Sequence, residues 1–89
     1  MREITVQIVN RAGMHARPAS EFVRTAGGFN SEVRVEKDGL EVNGKSIMGV
    51  LMLAAEQGSD LIIRAEGDDA EQALAALTDL VARGFDDTV

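Results

Sequence analysis

The fold expected for this chain is decided by residues 32–44, EVRVEKDGLEVNG. Asp38-Gly39 at the centre of this stretch is the two-residue signal for a type I′ β-hairpin, and apolar residues alternate with polar ones on both sides of it. A register that pairs Lys37 with Leu40 is consistent with a one-sided sheet. In this register the apolar side chains share one face of the hairpin: Val33, Val35, Leu40 and Val42. The stretch therefore predicts two paired strands whose sheet has one buried face.

Two elements are predicted before the hairpin. The alternation of Ile4, Val6 and Ile8 with polar residues is typical of a half-buried strand, and a loop over residues 10–14 ends it. From Ala16 the apolar spacing becomes helical, and Pro18 suits the first turn because its missing N–H is not needed there. The apolar stripe of this helix comprises Ala16, Ala19, Phe22, Val23 and Ala26. Gly27-Gly28 is the candidate C-cap.

Three more elements are predicted after the hairpin. SIMGVLMLAAEQG, residues 46–58, is a short helix with Ser46 as its N-cap and its end near Gly58. Residues 61–65 form a strand. The last helix has Asp68 or Asp69 as its cap and Gly84 past its end. Its apolar stripe comprises Ala70, Ala73, Leu74, Leu77, Leu80 and Val81. The predicted order is β-α-β-β-α-β-α.

Length and composition limit the size and class of the protein. The chain has 89 residues, of which 45% are hydrophobic, so we expect one domain over residues 1–89. One sheet face is enough to receive the helical stripes, which favours an α+β fold, a two-layer open-faced sandwich. There is no cysteine, no apolar run near 18 residues and no signal-peptide pattern, so we expect a cytoplasmic protein without membrane insertion.

Charge narrows the possible partners. Nine Lys and Arg against 15 Asp and Glu leave a net charge of −6, which makes direct nucleic-acid binding unfavourable. Three arginines nevertheless lie close together in the first part of the chain: Arg11, Arg17 and Arg24. With Lys45 as a further candidate member, they predict a local basic island.

The only histidine and the only proline lie together in GMHARPAS, residues 13–20. A helix that begins at Ala16 or Arg17 places His15 at its N-terminus, where free backbone N–H groups and the helix dipole favour an anion. Histidine offers a neutral, nucleophilic nitrogen near neutral pH, and Arg17 adds a charged fork for phosphate oxygens. These features predict a histidine that carries a phosphoryl group, although a lone histidine at a helix start is more often a cap or a surface residue.

Two motifs of the chain resemble a known family. GMHARPAS, followed by NGKSIMGVLML at residues 43–53, closely resembles HPr, the histidine-containing phosphocarrier family of the bacterial phosphoenolpyruvate-dependent sugar phosphotransferase system. The resemblance covers nearly the whole chain, and both motifs match at the family's spacing. It implies a four-stranded antiparallel sheet with three helices on one face.

The resemblance also implies a function. Enzyme I, charged by phosphoenolpyruvate, would phosphorylate the Nδ1 nitrogen of His15, and IIA proteins of sugar permeases would then remove the phosphoryl group. The residue that matches Arg17 assists the phosphohistidine in this family. The chain would be a carrier and not itself an enzyme, and we expect it to be a monomer that needs no metal or other cofactor.

Ser46 has two interpretations. From the residues alone it is an N-cap worth about 1 kcal/mol. The resemblance implies a regulatory role as well, because the matching serine in many family members is phosphorylated by an ATP-dependent HPr kinase/phosphorylase. The modified carrier then takes part in carbon-catabolite regulation, which makes a catabolite-control transcription regulator a further candidate partner.

The apolar residues after Ser46 are too many for one buried stripe. Val50 and Leu53 are predicted to join the core, whereas four others cannot all point inward: Ile47, Met48, Leu51 and Met52. Flexible methionines suit a surface that fits several partners. The resemblance places a docking surface here and on the first helix, where Arg24 is predicted to meet acidic partners. Gly27 and Gly28 stand where many family members have a basic or polar residue, which predicts a weaker or shifted Enzyme I contact.

Two alternative functions stay open from the sequence. Within the family, the chain could serve the nitrogen-related regulatory branch instead of sugar uptake. In another class, it could be a small-molecule-binding regulatory α+β module without phosphotransfer. An RNA-binding module is disfavoured by the absence of Tyr and Trp, and an independent enzyme by the shortage of reactive side chains.

Overall fold

Seven regular elements follow one another in the predicted order in a computed structural model that describes residues 1–87. The strands are β1 (Arg2–Gln7), β2 (Glu32–Lys37), β3 (Leu40–Asn43) and β4 (Asp60–Glu66). The helices are α1 (Ala16–Gly27), α2 (Ile47–Met52) and α3 (Ala70–Ala82), and a 3₁₀ turn over Gly84–Asp86 follows α3.

The four strands form one antiparallel sheet in the order β1-β4-β2-β3. Ile63 of β4 lies opposite Ile4 of β1 on one side and opposite Val35 of β2 on the other. Alternate residues of β4, such as Leu61 and Ile63, are buried against the helices, whereas Arg64 lies on the open face. The predicted two-layer α+β sandwich is therefore confirmed.

The hairpin has the predicted register. Val35 lies opposite Val42, and Lys37 lies opposite Leu40. Asp38 and Gly39 have φ angles of 51° and 87°, and two successive left-handed residues define the type I′ turn. Leu40 differs from the prediction, because the residue is 44% exposed. Leu40 belongs to the residue pair next to the turn, where it lies opposite Lys37. Val35, by contrast, is fully buried.

The core lies between the sheet and the helices. Its largest fully buried apolar side chains come from both layers: Ile8, Phe22, Val33, Val35, Val50, Leu61, Ile63, Leu77 and Val81. In α1 the predicted stripe is confirmed at Ala19, Phe22 and Ala26, while Ala16 is exposed. Pro18 is buried in its place, since it packs inward in the first turn of the helix.

Helix α2 is shorter than predicted. It ends at Met52, six residues before the expected end near Gly58, and Ala54 has a left-handed φ of 49°. The following backbone instead bonds to the segment after β1, where Gly58 N–H donates to Ile8 C=O at 2.7 Å and Ile8 N–H donates to Ser59 C=O at 2.8 Å. The left-handed Ala54 and these long-range bonds are incompatible with a helix that continues to Gly58.

Asp69 precedes α3 as predicted, but its side chain does not cap the helix. The carboxylate instead accepts hydrogen bonds from the Ser31 hydroxyl and from the backbone N–H groups of Asn30 and Ser31. These bonds, the Ser31 hydroxyl foremost, lower the pKa of Asp69 below its usual value. Asp69 thus links the residues before β2 to the start of α3 by hydrogen bonds. The other end of α3 is as predicted, with Gly84 at a φ of 62°.

Candidate functional site

His15 is the N-cap residue of α1, as predicted. Its backbone is extended, with φ −80° and ψ −171°, and its carbonyl accepts the first helical bond, from Ala19 N–H at 2.9 Å. The imidazole makes no capping bond, and the side chain is 38% exposed. The ring is therefore held at the helix start by its backbone and remains accessible from solvent.

The backbone beside His15 offers two hydrogen-bond donors. Within residues 1–87, nothing accepts a hydrogen bond from the N–H of Ala16 or of Arg17. Pro18, the third residue of α1, has no N–H to satisfy. Free N–H groups at a helix N-terminus favour an anion, so the groups expected to meet a phosphoryl group lie next to the imidazole.

A carboxylate that no sequence motif marks completes the site. Asp87 Oδ2 lies 2.9 Å from His15 Nε2 and 3.2 Å from Asn10 Nδ2, and Asp87 Oδ1 lies 2.7 Å from an Arg17 guanidinium nitrogen. The side chain of Asp87 has no solvent exposure. Hydrogen bonds from His15 and then Arg17 hold the pKa of Asp87 far below its usual range. Asp87 is therefore ionised and joins His15 to Arg17.

The two nitrogens of the His15 ring have different surroundings. Nε2 is bonded to Asp87, whereas no residue of the described part of the chain bonds Nδ1. A nucleophilic nitrogen needs a free lone pair. Nδ1 is the ring atom that meets this requirement.

The loop before α1 is stabilised by a hydrogen bond within the loop and by another to the segment after α2. Asn10 Nδ2 donates to Gly13 C=O at 2.8 Å, and Met14 N–H donates to Ala55 C=O at 2.8 Å. Gly13 has a φ of 70°, and a Cβ at this position would lie 2.5 Å from the Ala55 oxygen. The close approach of two backbone segments therefore requires glycine two residues before His15.

We expect Gly13→Ala to lower the free energy of unfolding by about 2–3 kcal/mol, because it combines a left-handed φ with a clash against backbone. Gly39→Ala is the matched control, since Gly39 has a φ of 87° but no atom near its Cβ position. It should cost only about 1 kcal/mol. Chemical denaturation of both variants measures the difference, and equal losses would contradict the argument from the Ala55 contact.

The predicted N-cap role of Ser46 is confirmed. Its side-chain oxygen accepts a hydrogen bond from Gly49 N–H at 3.1 Å, the usual N-cap geometry at the start of α2. The residue is half-buried.

Helices α1 and α2 run in opposite directions. Lys45, just before α2, donates through Nζ to the carbonyl of Phe29, which follows α1, at 2.7 Å. The segment after α2 contacts the start of α1 through the bond from Met14 to Ala55. Ser46 therefore lies near the far end of α1 from His15, and a helix of 12 residues is about 18 Å long. The prediction that Lys45 joins a basic island with Arg17 is wrong, because Lys45 lies at that far end.

The apolar residues of α2 divide between core and surface. Val50 and Leu53 are buried, as predicted, whereas Met48 and Met52 are 68% and 66% exposed and Ile47 is also exposed. Leu51 differs from the other three predicted docking residues, because it is half-buried and packs against the core. On α1, Arg24 is exposed and lies 3.4 Å from Glu21. We call Arg17, Arg24, Ile47, Met48 and Met52 the candidate docking surface.

Asp87 was missed because no local pattern marks it. It is one of 15 acidic residues, it follows another aspartate, and it lies 72 positions from His15. Among residues 1–87 no group of three or more His, Asp or Glu side chains is arranged to hold a metal ion. None of the helices over the same residues combines the length and the apolar character needed to cross a membrane.

Comparison with known proteins assigns the chain to a family. The family model described as "PTS HPr component phosphorylation site" matches residues 2–83. The phosphocarrier protein HPr of Neisseria meningitidis serogroup A is 46% identical over 81 residues, which cover 91% of each chain.

Solved structures agree with this assignment. The crystal structure of HPr-C-His from Thermoanaerobacter tengcongensis superimposes with a TM-score of 0.95 at 48% identity and full coverage of both chains. Crh, the Bacillus subtilis catabolite-repression protein, which is a dimer with a swapped domain, gives a TM-score of 0.75 at 41% identity, over 93% of this chain and 95% of that one. The chain belongs to the HPr family, the phosphocarrier proteins of the phosphotransferase system.

Proposed function

We propose that this protein receives a phosphoryl group on Nδ1 of His15 from Enzyme I, which is charged by phosphoenolpyruvate, and passes it to IIA proteins of sugar permeases. The observation that carries the proposal is the placement of a half-exposed imidazole at the start of α1, beside two free backbone N–H groups and the Arg17 guanidinium. The N–H groups supply positive charge at the helix start, and Arg17, which Asp87 links to the imidazole, would supply more charge to the phosphoryl oxygens.

The exposure of the imidazole suits a carrier. A relay must present the same nitrogen to a donor and then to an acceptor, and each partner must approach in line with the transferring phosphorus. Nδ1 has no hydrogen-bond partner among residues 1–87, so no residue of the described part of the chain occupies its lone pair. Most of the transition-state stabilisation would then come from the partner proteins, and the carrier itself needs no enclosed pocket or cofactor.

The candidate docking surface would serve both partners. Exposed Met48 and Met52 offer flexible apolar contacts, while Arg17 and Arg24 offer charge complementarity to acidic partners. Gly27 is exposed, with open space at its Cβ position, so the absence of a basic side chain there has no packing reason. Leu51 contributes less than its neighbours because it is half-buried.

Ser46 would be the regulatory site, phosphorylated by an HPr kinase/phosphorylase. Since Ser46 lies at the opposite end of α1 from His15, a phosphate there would act on partner docking and not by touching the imidazole. The relative Crh, a catabolite-repression protein, supports a place for a catabolite-control transcription regulator among the partners. A cytoplasmic location follows from this set of partners. The expectation of a monomer stays a prediction, because Crh is a dimer.

The experiment that tests the proposal is incubation of the protein with Enzyme I and phosphoenolpyruvate, followed by intact-mass analysis. We expect the mass of one phosphoryl group, stable to base and lost in mild acid, as a phosphoramidate is. Addition of a IIA protein should then remove it. No gain of mass would refute the carrier function, and transfer only to regulatory IIA proteins would assign the chain to the nitrogen-related branch.

Replacement of Arg17 by alanine should slow transfer about tenfold, because the phosphoryl group loses a charged donor while the N–H groups of α1 remain. Arg24→Ala is the matched control, with the same loss of charge seven residues further along the helix. Initial rates with Enzyme I at varied carrier concentration separate the two effects. Arg17→Ala should lower mainly kcat and Arg24→Ala should raise mainly KM. If the two variants have the same kinetic profile, Arg17 is only a docking residue.

A further inference from the structure

A turn of three left-handed residues after α3 places Asp87 next to His15. Gly84, Phe85 and Asp86 all have left-handed backbones, with φ angles of 62°, 59° and 53°. For Phe85 this conformation costs free energy, and it persists here because the Phe85 side chain is buried in the core. The turn therefore fixes the position of the residue that follows it, Asp87.

Both oxygens of the Asp87 carboxylate face hydrogen-bond donors. Oδ2 faces two nitrogens, His15 Nε2 and Asn10 Nδ2, and Oδ1 faces the Arg17 guanidinium. The carboxylate has no solvent exposure, so water does not compete for these bonds. The family match ends at Arg83, before this residue, so the site includes a residue outside the matched region.

These contacts determine which nitrogen of the imidazole carries the hydrogen. An ionised carboxylate can only accept hydrogen bonds, so the 2.9 Å contact requires a hydrogen on Nε2. A neutral imidazole has one hydrogen, which leaves the lone pair on Nδ1. Without a partner at Nε2, the two neutral tautomers would share the population.

We infer that Asp87 is a positioning residue, which holds the His15 ring in the Nε2–H tautomer with the lone pair of Nδ1 directed to the phosphoryl donor. The kinetic part of this inference rests on the proposed carrier function, whereas the tautomer part does not. The same logic operates in hydrolases, where a buried aspartate orients a histidine from its far nitrogen.

Phosphoryl transfer to Nδ1 requires no proton transfer. The Nδ1 lone pair forms the new N–P bond, the bond between phosphorus and the donor atom breaks, and its electron pair returns to the donor. The hydrogen stays on Nε2, so the ring becomes positively charged, and the Asp87 carboxylate compensates that charge at 2.9 Å. In the reverse direction the charged ring is the leaving group, and it departs as the neutral Nε2–H tautomer.

Asp87 also orients Arg17. One guanidinium nitrogen bonds Oδ1 at 2.7 Å, and a guanidinium has five N–H donors in a fixed plane. Donors that Asp87 does not use remain available to phosphoryl oxygens. The carboxylate thus aligns the nucleophile and its charged neighbour from behind, on the side of the ring away from Nδ1.

The experiment compares the parent protein with Asp87→Asn, Asp87→Ala and the control Asp86→Asn. Asp86 is the adjacent residue, is exposed and bonds Arg83, so its variant makes the same charge change away from His15. Long-range ¹H–¹⁵N correlation spectra of the imidazole give the tautomer directly, at a pH of about 8.5 where ordinary imidazoles are neutral. Initial rates of phosphorylation by Enzyme I give the kinetic effect.

We expect the parent and Asp86→Asn to show predominantly the Nε2–H tautomer. Asp87→Ala should give a mixture. Asp87→Asn should shift the population toward Nδ1–H, because the amide oxygen is needed by Arg17 and the amide NH₂ then faces Nε2. Both Asp87 variants should be phosphorylated about tenfold more slowly, mainly through kcat, with Asp87→Asn the slower of the two.

Two results would overturn the inference. One is a parent ring that is mainly in the Nδ1–H form, and the other is an Asp87→Asn variant with the tautomer population of the parent. If rates fall but the tautomers do not change, Asp87 has only a structural role and the inference is wrong. If the parent accepts no phosphoryl group, the carrier function fails, and the spectra still decide whether Asp87 positions the ring.

Discussion

A His15→Ala variant is expected to accept no phosphoryl group from Enzyme I while keeping the fold of the parent. His15 is the only histidine of the chain, so no second imidazole can replace it as an acceptor. Serine and threonine hydroxyls are far weaker nucleophiles at neutral pH and would give a product that is stable to acid. The loss should therefore be complete within the detection limit of intact-mass analysis.

The fold should survive because the imidazole contributes little to it. The ring makes no capping bond, and the helical bond of His15 comes from its carbonyl, which alanine retains. Asp87 loses one donor but keeps Arg17 and Asn10. We expect a change in the free energy of unfolding of about 1 kcal/mol or less, to be measured by denaturation. Undiminished, acid-labile labelling of a folded variant would assign the acceptor to another residue.

Elements whose limits are set by neighbouring residues were predicted well from the sequence. The hairpin is one of them, because Asp38-Gly39 imposes both the turn type and the register of the strands beside it. The start of α1 is another, since Pro18 and the apolar spacing define it within a few residues. His15 and Ser46 could be placed at helix starts for the same reason.

Features that depend on distant residues could not be predicted. Helix α2 gives way to a left-handed Ala54 and to backbone bonds between Ile8 and residues 58–59, although the helical spacing of the sequence continues past Met52. The carboxylate of Asp69 does not cap its own helix and instead bonds Ser31, 38 positions away. Asp87 reaches His15 only because the chain reverses after α3. In each case the partner is chosen by the tertiary fold and not by local spacing.

Ser46→Asp is expected to lower kcat/KM for the phosphorylation of His15 by Enzyme I about 30- to 100-fold. This corresponds to roughly 2–3 kcal/mol of lost interaction between the two proteins. The added charge lies beside Ile47 and Met48 in the candidate docking surface. Acidic groups of Enzyme I that complement Arg24 would be repelled by it, and the carboxylate would also lose water at the interface. The substitution imitates part of the charge of a phosphoserine.

The comparison needs two controls. Ser46→Ala removes the cap without adding charge, so it should lose about 1 kcal/mol of stability and keep nearly normal transfer rates. Gln72→Glu adds the same charge at an exposed position of α3, outside the candidate docking surface, and should leave both stability and rates near those of the parent. Together they separate the loss of the cap and the change in net charge from an effect on docking.

Kinetics distinguish a docking defect from a chemical one. The carboxylate introduced by Ser46→Asp would still accept the bond from Gly49 N–H, so α2 should persist and thermal melts should show a small change. Because Ser46 is separated from His15 by the length of α1, the chemistry at Nδ1 should be unaffected once the partners are bound. The defect should then appear as a raised KM for the carrier, with kcat nearly unchanged at saturation. A fall in kcat alone would place the effect of Ser46 at the imidazole, and equal rates for all four proteins would leave Ser46 as a helix cap without a regulatory role.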